Sequence, residues 1–180
     1  MDLSKYIHVI YPLKNFSFTD YPDNISYSLL IYLLGCGHNC FNCQNPELQN
    51  SKNTKIKNIF IHANTLMHYI DQACKEESQI DNIVITGGDP LFQNNLYFTK
   101  KFCEEYGEKY NIAIYTGASI DFVKENSIKN FKYIKCGQYI EELKQEIYKN
   151  DYEIQLASSN QEWYDSNYKQ ISQNGLLKFY

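Results

Sequence analysis

Residues 25–43 read ISYSLLIYLLGCGHNCFNC, and this stretch decides the architecture of the chain. Its first part, Ile25 to Leu34, is an apolar run rich in β-branched and aromatic residues, which predicts a buried strand. The run is too short to span a bilayer. Gly35 and three cysteines follow directly, so the sequence places a loop rich in thiols at the end of a buried strand.

Strand-like and helix-like segments alternate along the rest of the chain. The patterns predict further strands at Ile83–Thr86, Ile112–Thr116 and Phe131–Lys135, and helices at Asn64–Glu77, Leu96–Tyr106 and Ser119–Glu125. Asn64 and Ser119 are expected to cap the helices that they begin, and Gly107 is expected to stop the second helix. A length of 180 residues suits one domain over residues 1–180.

Short alternating units of this kind favour a parallel sheet with right-handed crossovers. The residues that follow each parallel strand lie along one edge of the sheet, where ligands bind. Here that edge would collect Cys36–Cys43, Gly87–Pro90, Thr116-Gly117 and Cys136-Gly137. The expected fold is α/β, a partial (open) β/α barrel of parallel strands with outer helices, and a doubly wound open sheet is the alternative.

Composition and charge argue against several classes of protein. All 17 basic residues are Lys, the formal net charge is -4 and no basic block is present, so nucleic-acid binding is not expected. No signal peptide and no membrane segment are predicted. We therefore expect a cytoplasmic protein whose six cysteines are reduced thiols or metal ligands. Without Arg, an anionic ligand must be held by Lys, hydroxyls, backbone N–H groups or a metal.

The cysteine loop has the spacing C-x3-C-x2-C at Cys36, Cys40 and Cys43. Three thiolates can bind three irons of a cubane cluster, and the fourth iron then stays open to a small molecule or a distant side chain. An incidental group of thiols is one alternative, and a zinc site is another. The zinc site would take its fourth ligand from a histidine: His38, His62 or His68. The remaining cysteines are expected to pack in the core: Cys74, Cys103 and Cys136. For Cys136, which is predicted at the same sheet edge as the cysteine loop, a redox or ligand role is the alternative.

A second motif, Thr86-Gly87-Gly88-Asp89-Pro90, ends the predicted strand at Ile83–Thr86. Paired glycines let bare carbonyl and N–H groups approach a ligand closely, and the Asp89 carboxylate can accept a hydrogen bond from an ammonium group. An ordinary turn is the alternative interpretation. The chain has no Gly-rich phosphate-binding motif with Lys, which argues against nucleoside-triphosphate hydrolysis.

These motifs, in this order, resemble those of the activating proteins of anaerobic ribonucleoside-triphosphate reductase, a group within the radical S-adenosylmethionine (SAM) superfamily. The resemblance runs from about Phe16 to Trp163 and includes Asn45 after the last cysteine of the loop. Three further motifs match: Tyr115-Thr116-Gly117, Gly137 to Leu143, and Ser158 to Gln161. Asn42 and Cys136 depart from the pattern, because many relatives have an aromatic residue at the first position and an acidic residue at the second.

The resemblance implies a [4Fe-4S] cluster bound by Cys36, Cys40 and Cys43, with SAM at the open iron. It also implies a cofactor pocket lined by Asn42, Cys43, Gln44, Gly87, Gly88 and Asp89. No side chain is expected to act as a catalytic acid or base. The implied activity is activation of a glycyl-radical enzyme, in which a low-potential donor such as flavodoxin or ferredoxin supplies an electron. A 5′-deoxyadenosyl radical then removes a hydrogen atom from a glycine of the reductase.

Other functions stay open at this point. The chain can instead be an activase of another glycyl-radical enzyme, such as pyruvate formate-lyase, or a radical enzyme that acts on a small molecule. A non-catalytic zinc or iron–sulfur binding module is the alternative from another class. The C-terminal aromatic residues are expected either to form a docking surface for the reductase or to pack on the core: Trp163, Tyr164, Tyr168, Phe179 and Tyr180.

Overall fold

The structure is a computed structural model, and it describes residues 2–23, 27–77 and 80–179. Its strands and helices follow in chain order: β1 (Tyr6–Ile10), β2 (Asn15–Ser17), β3 (Ser28–Leu33), β4 (Asn58–His62), α1 (Ala63–Glu76), β5 (Asn82–Gly87), α2 (Asn94–Tyr106), β6 (Asn111–Tyr115), α3 (Ile120–Glu125), β7 (Tyr133–Cys136), β8 (Tyr148–Lys149), β9 (Glu153–Gln155), β10 (Glu162–Asp165) and β11 (Leu176–Lys178). Short 3-10 turns cover Leu3–Lys5, Pro46–Leu48 and Glu141–Leu143.

The larger sheet holds eight strands of the described chain in the order β10-β7-β6-β5-β3-β1-β4, with β2 also paired to β3. Its centre is parallel, because β3, β5, β6 and β7 run in one direction. The flanking strands β1, β2, β4 and β10 pair antiparallel. An α/β fold around a mostly parallel sheet is therefore confirmed, and the described part of the chain forms no closed barrel.

The predicted strands are present, with shifted ends. β5 is longer by one residue at each end, since Gly87 still pairs with Leu33 of β3. β6 stops one residue short of Thr116, and β7 begins at Tyr133 rather than at Phe131. Phe131 is only 2% exposed, so the apolar pattern there marks core packing ahead of the strand. Ile25, the predicted start of β3, lies outside the described residues.

The helix ends follow local hydrogen bonding. The prediction of Asn64 as the N-cap of α1 is wrong, because His62 takes this place and its Nδ1 accepts a hydrogen bond from the Asn64 N–H at 3.2 Å. α2 begins at Asn94, two residues earlier than predicted, and Gly107 ends it as predicted. Ser119 caps α3 as predicted. No helix of the described residues has the length and apolar character needed to cross a membrane.

The central strands bury alternate residues on two faces of the sheet, as their period of two requires. One face packs under the helices and contributes Leu29, Ile31, Ile83, Ile85, Ile112 and Ile114 to the main core. The opposite face has a smaller cluster of Tyr21, Leu30, Val84 and Ala113, flanked by Tyr32, Tyr115 and Tyr133. Tyr115 also lines the cavity described below, so the second face forms the floor of the candidate site.

A smaller sheet, in the order β11-β9-β8, lies beside the C-terminal part of the chain. Trp163 of β10 is fully buried and meets Tyr115 edge-on, with 5.0 Å between the ring centroids. The prediction of an aromatic docking surface is therefore wrong at Trp163, and the packing alternative is right. The other described C-terminal aromatic residues are partly buried against apolar clusters: Tyr164, Tyr168 and Phe179. Tyr180 lies outside the described residues.

Candidate metal centre

The loop after β3 carries its three cysteines as free, partly exposed thiols on the wall of one cavity. Two backbone hydrogen bonds anchor the start of the loop: Gly35 N–H donates to the Leu48 carbonyl at 2.8 Å and Cys36 N–H to the Gln49 carbonyl at 2.9 Å. Burial raises the pKa of the Cys36 thiol, and a hydrogen bond of 3.5 Å from the His38 N–H opposes that shift. This contact favours the thiolate, which is the form that binds metal.

Left-handed backbone precedes the second and third thiols. Asn39 has a φ of 49° and Asn42 a φ of 53°, in a region that Asn tolerates better than most residues. Each lies directly before a cysteine, so the turns reorient the chain ahead of Cys40 and Cys43, and both of these cysteines line the cavity. Asn42, which departs from the related sequences, therefore has a backbone reason for its identity.

The cavity has a volume of about 740 Å³, which is within the range of roughly 300–1,000 Å³ typical of small-molecule sites. It lies where the parallel strands end, as the strand order predicts. The wall includes five of the six predicted pocket residues: Asn42, Cys43, Gln44, Gly87 and Gly88. Turns at 115–117 and 137–139 complete this side, so the structure brings together the loops that the sequence places at one sheet edge.

The glycine turn, Gly87-Gly88, packs closely against residues 33–35, the stem of the cysteine loop. Gly87 has a φ of 117°, and a Cβ atom there would overlap the backbone of Leu33. A Cβ atom on Gly88 would lie 2.5 Å from the carbonyl oxygen of Gly35. The Asp89 N–H donates to that same oxygen at 2.8 Å. The paired glycines are therefore required for backbone packing as well as for bare backbone at the cavity wall.

Asp89 lies behind the cavity wall, with 1% of its surface exposed. Its carboxylate accepts hydrogen bonds from Leu91 N–H (2.7 Å), Thr116 Oγ1 (2.9 Å), Gly117 N–H (2.8 Å) and His38 Nε2 (2.8 Å). Burial alone would raise the pKa of Asp89, but the hydrogen bonds from His38 and the two backbone groups hold it below its ordinary value. The structure thus directs this ionised carboxylate toward protein donors, unlike the expected contact with a ligand ammonium.

Lys135 is the lysine of the cavity floor, and Lys144 and Lys149 also line the cavity. It lines the cavity from β7, and its Nζ donates one hydrogen bond of 3.3 Å to the Gly137 carbonyl. Among the described residues it forms no salt bridge with a carboxylate. Burial lowers the pKa of Lys135 despite the opposing field of Asp89. An ammonium group held in this way is suited to an anionic ligand, which the chain must bind without Arg.

The family model of the 4Fe-4S single cluster domain matches residues 27–170, which is 144 of the 180 residues. The chain belongs to this family. None of the curated proteins compared with it matches. The matched span of the 4Fe-4S single cluster domain includes the cysteine loop and every turn of the cavity named above.

The donor set fits the cluster of a 4Fe-4S single cluster domain. Such clusters are held by cysteine thiolates, and the loop offers three free thiols on one wall. The other three cysteines are buried in the core, as predicted, at 4%, 0% and 4% exposure: Cys74, Cys103 and Cys136. They do not line the cavity, so the described thiols there come from the loop alone.

None of the three histidines proposed for a zinc site is placed as a fourth ligand beside the thiols. His62 caps α1, His68 lies exposed on the same helix, and neither lines the cavity. His38 directs Nε2 to Asp89. Across residues 2–23, 27–77 and 80–179, no three His, Cys, Asp or Glu side chains converge as a site for a metal ion. A cubane sets a wider spacing than a single ion does, because each thiolate binds a different iron.

The far wall of the cavity comes from the small sheet, which no sequence motif indicated. Ile147, Tyr148 and Ile154 line it. Lys149 Nζ ties this wall to the loop after β2, donating to the Thr19 carbonyl at 3.1 Å and the Tyr21 carbonyl at 2.6 Å. The sequence gives little indication of this wall, because its strands have only two or three residues each, too few to show an alternating pattern.

The Ser158 to Gln161 motif shapes a turn of the cavity. Gln161 Nε2 donates to the Gly137 carbonyl at 3.1 Å, and Gln161 Oε1 accepts from the Ser158 N–H at 3.3 Å. Gly137 itself has a φ of 104°, a conformation that suits glycine. The motif therefore holds the turn that follows β7. The Gly137 carbonyl of this turn is also the acceptor for Lys135.

Proposed function

We propose that this 4Fe-4S protein is a SAM-dependent activase that generates a glycyl radical on anaerobic ribonucleoside-triphosphate reductase. The observation that carries the proposal is the number of thiols at the cavity. Cys36, Cys40 and Cys43 line it, and no other cysteine of the described chain does. Three thiolates leave one iron of a cubane without a protein ligand. That iron can then bind the amino and carboxylate groups of SAM.

The cavity wall offers complementary groups for the methionine part of SAM. The bare backbone carbonyls of Gly87 and Gly88 would accept from its iron-bound amino group, and Lys135 would face its carboxylate. Asn42 and Gln44 would line the pocket beside the cluster. When bound and reduced by a low-potential electron donor, the cofactors would supply one-electron reductive cleavage of the 5′ carbon–sulfur bond of SAM, which would yield methionine and a 5′-deoxyadenosyl radical able to remove a hydrogen atom from glycine. The chain itself would bind and orient these cofactors and exclude water from them.

The surroundings of the cavity support a macromolecular substrate. Large exposed apolar side chains lie in or next to the segments that line it: Phe18, Phe41, Leu143, Ile147, Tyr148 and Tyr152. Their exposed fractions range from 39% to 74%. Exposed aromatic and apolar residues are enriched where proteins bind each other. A loop of a partner enzyme can therefore be guided to a reactive group inside the cavity.

The test is activation under strictly anaerobic conditions. Reconstituted protein, reductant and SAM are incubated with purified anaerobic ribonucleoside-triphosphate reductase, and electron paramagnetic resonance detects a glycyl radical. Cys40→Ala should abolish the signal, whereas Cys74→Ala, in the core of α1, should retain it. A radical formed only on a pyruvate formate-lyase type enzyme would replace the proposed partner. About one zinc without sulfide would instead identify a binding module.

A further inference from the structure

Asp89 joins three segments that are distant in the sequence. It reaches the cysteine loop through His38, the turn after β6 through Thr116 and Gly117, and its own turn through Leu91. We propose that Asp89 is a positioning residue that holds the cysteine loop in register with the cofactor cavity, and that it acts through His38. The proposal rests on the ligand assignment made under the proposed function.

The hydrogen-bonding capacity of Asp89 is used by the protein. An ionised carboxylate has about four acceptor positions, and four protein donors point at them. The Thr116 hydroxyl must donate to Asp89, because an ionised carboxylate can only accept, and the Thr116 oxygen itself accepts from the Ala118 N–H at 3.0 Å. The side chain of Asp89 is 2% exposed, so a ligand ammonium group would have to displace one of these four donors. Asp89 is therefore part of the frame and not of the ligand contact surface.

His38 transmits this anchoring to the cluster ligands. It lies midway between Cys36 and Cys40, and its ring packs so closely on Gly117 that a Cβ atom there would overlap it. On the same loop, a Cβ atom on Gly37 would lie 2.8 Å from the Phe92 ring. The loop is thus held by the hydrogen bond between His38 and Asp89 and by two close glycine contacts, which leave it few ways to shift without losing that hydrogen bond.

Substitutions can separate this role from general stability. His38→Ala removes the ring from a side chain that is 27% exposed, so the fold should survive. His38→Gln keeps an N–H donor that can reach Asp89. Asp89→Asn keeps the shape and removes the charge. His8→Ala is the matched control, because His8 is a partly buried histidine that pairs with Asn58 at 3.1 Å away from the cavity.

The measurement is iron release to a ferrous chelator from the anaerobically reconstituted proteins, with the resonance spectrum of the reduced cluster recorded before and after SAM is added. We expect His38→Ala and Asp89→Asn to release iron about 10- to 100-fold faster, the effect of losing one charged hydrogen bond. His38→Gln should restore the wild-type rate and spectrum. The double variant should release iron no faster than Asp89→Asn alone, because His38 acts through Asp89.

The possible results distinguish the positioning role of Asp89 from the activase proposal. Wild-type rates and spectra in His38→Ala would overturn the positioning role, and so would equal acceleration by His8→Ala. Failure of His38→Gln to restore them would also overturn it. If the wild-type spectrum does not change on addition of SAM while the His38 variants behave as expected, the activase proposal fails and the positioning role stands. If the wild-type protein holds no iron, the ligand assignment and this inference fail together.

Discussion

Gly88→Ala is predicted to loosen the cluster site while most of the chain stays folded. The added Cβ atom would lie 2.5 Å from the carbonyl oxygen of Gly35 and 2.6 Å from that of Leu48. Real Cβ atoms essentially never come within 3.0 Å of such a neighbour, so the two segments must separate by about 0.5 Å, the difference between 3.0 and 2.5 Å. Backbone cannot rotate away as a flexible side chain can, and overpacking of this size costs about 1–3 kcal/mol.

The cost falls on the stem of the cysteine loop. The Gly35 carbonyl accepts from Asp89 N–H and the Gly35 N–H donates to Leu48, each at 2.8 Å. If these two hydrogen bonds are weakened by the whole of the overpacking cost of about 1–3 kcal/mol, the affinity of the site for the cluster should fall about 5- to 150-fold. Iron and sulfide analysis after anaerobic gel filtration measures it. Thermal unfolding of the metal-free protein, followed by circular dichroism, measures the cost to the fold.

Gly175→Ala is the matched control for this prediction. Gly175 has a φ of 75°, so Ala there is strained by about 1–2 kcal/mol, and its nearest neighbour is the side-chain nitrogen of Gln155 at 3.0 Å. It lies in the turn before β11, outside the cavity wall. The control should lose stability and keep its iron. Wild-type iron content in Gly88→Ala, or equal iron loss in both variants, would refute the reasoning.

Three further predictions concern single lysines and one carboxylate. Lys135→Met should weaken SAM binding by anaerobic equilibrium dialysis about 10- to 100-fold, and its preference for SAM over a neutral carboxamide analogue should shrink to the part that the open iron supplies; a preference as large as that of the wild type would exclude Lys135 as a carboxylate partner. Asp71→Asn should lower the free energy of unfolding by about 1–2 kcal/mol at pH 7, since the amide keeps an acceptor for Lys109 and Tyr110 but loses the charge that strengthens these hydrogen bonds and pairs with Lys75. Burial would raise the pKa of Asp71, but its partners hold it below 3.8, so this stabilisation is present above pH 3.8 and is lost as the pH falls; denaturant unfolding at both ends of the range checks the sign. Lys149→Met should speed amide hydrogen exchange in β8 and β9 with little change elsewhere, and unchanged exchange there would show that the small sheet is held by its other contacts.

Local patterns predict the centre of this fold and its glycine turn. The runs that form β3, β5 and β6 are apolar and β-branched, and burial on both faces requires such runs in a parallel sheet. The order of these strands then places the loops that follow them at one edge, whatever the loops contain. The cysteine loop and Gly87-Gly88 meet for this reason, and both line the cavity.

The features of the fold and the site that the sequence does not predict depend mostly on contacts between residues far apart in the chain. Asp89 looks available for a ligand in the sequence, but its partners His38 and Thr116 are 51 and 27 residues away. β1 and β4 pair over five residues each at the sheet edge, where short segments with polar members give little signal. His62 displaces Asn64 as the cap because the helix already begins at Ala63 and the His62 ring nitrogen accepts from the Asn64 N–H.

The tie made by Lys149 has a consequence for sequence variation around the cavity. Both of its acceptors are main-chain carbonyl oxygens, at Thr19 and Tyr21, and every residue type carries such an oxygen. The loop after β2 can therefore exchange its side chains freely with respect to this tie, and only the lysine is constrained. Homologous proteins can therefore vary the side chains of this part of the cavity wall without losing the hydrogen bonds that hold the small sheet in place.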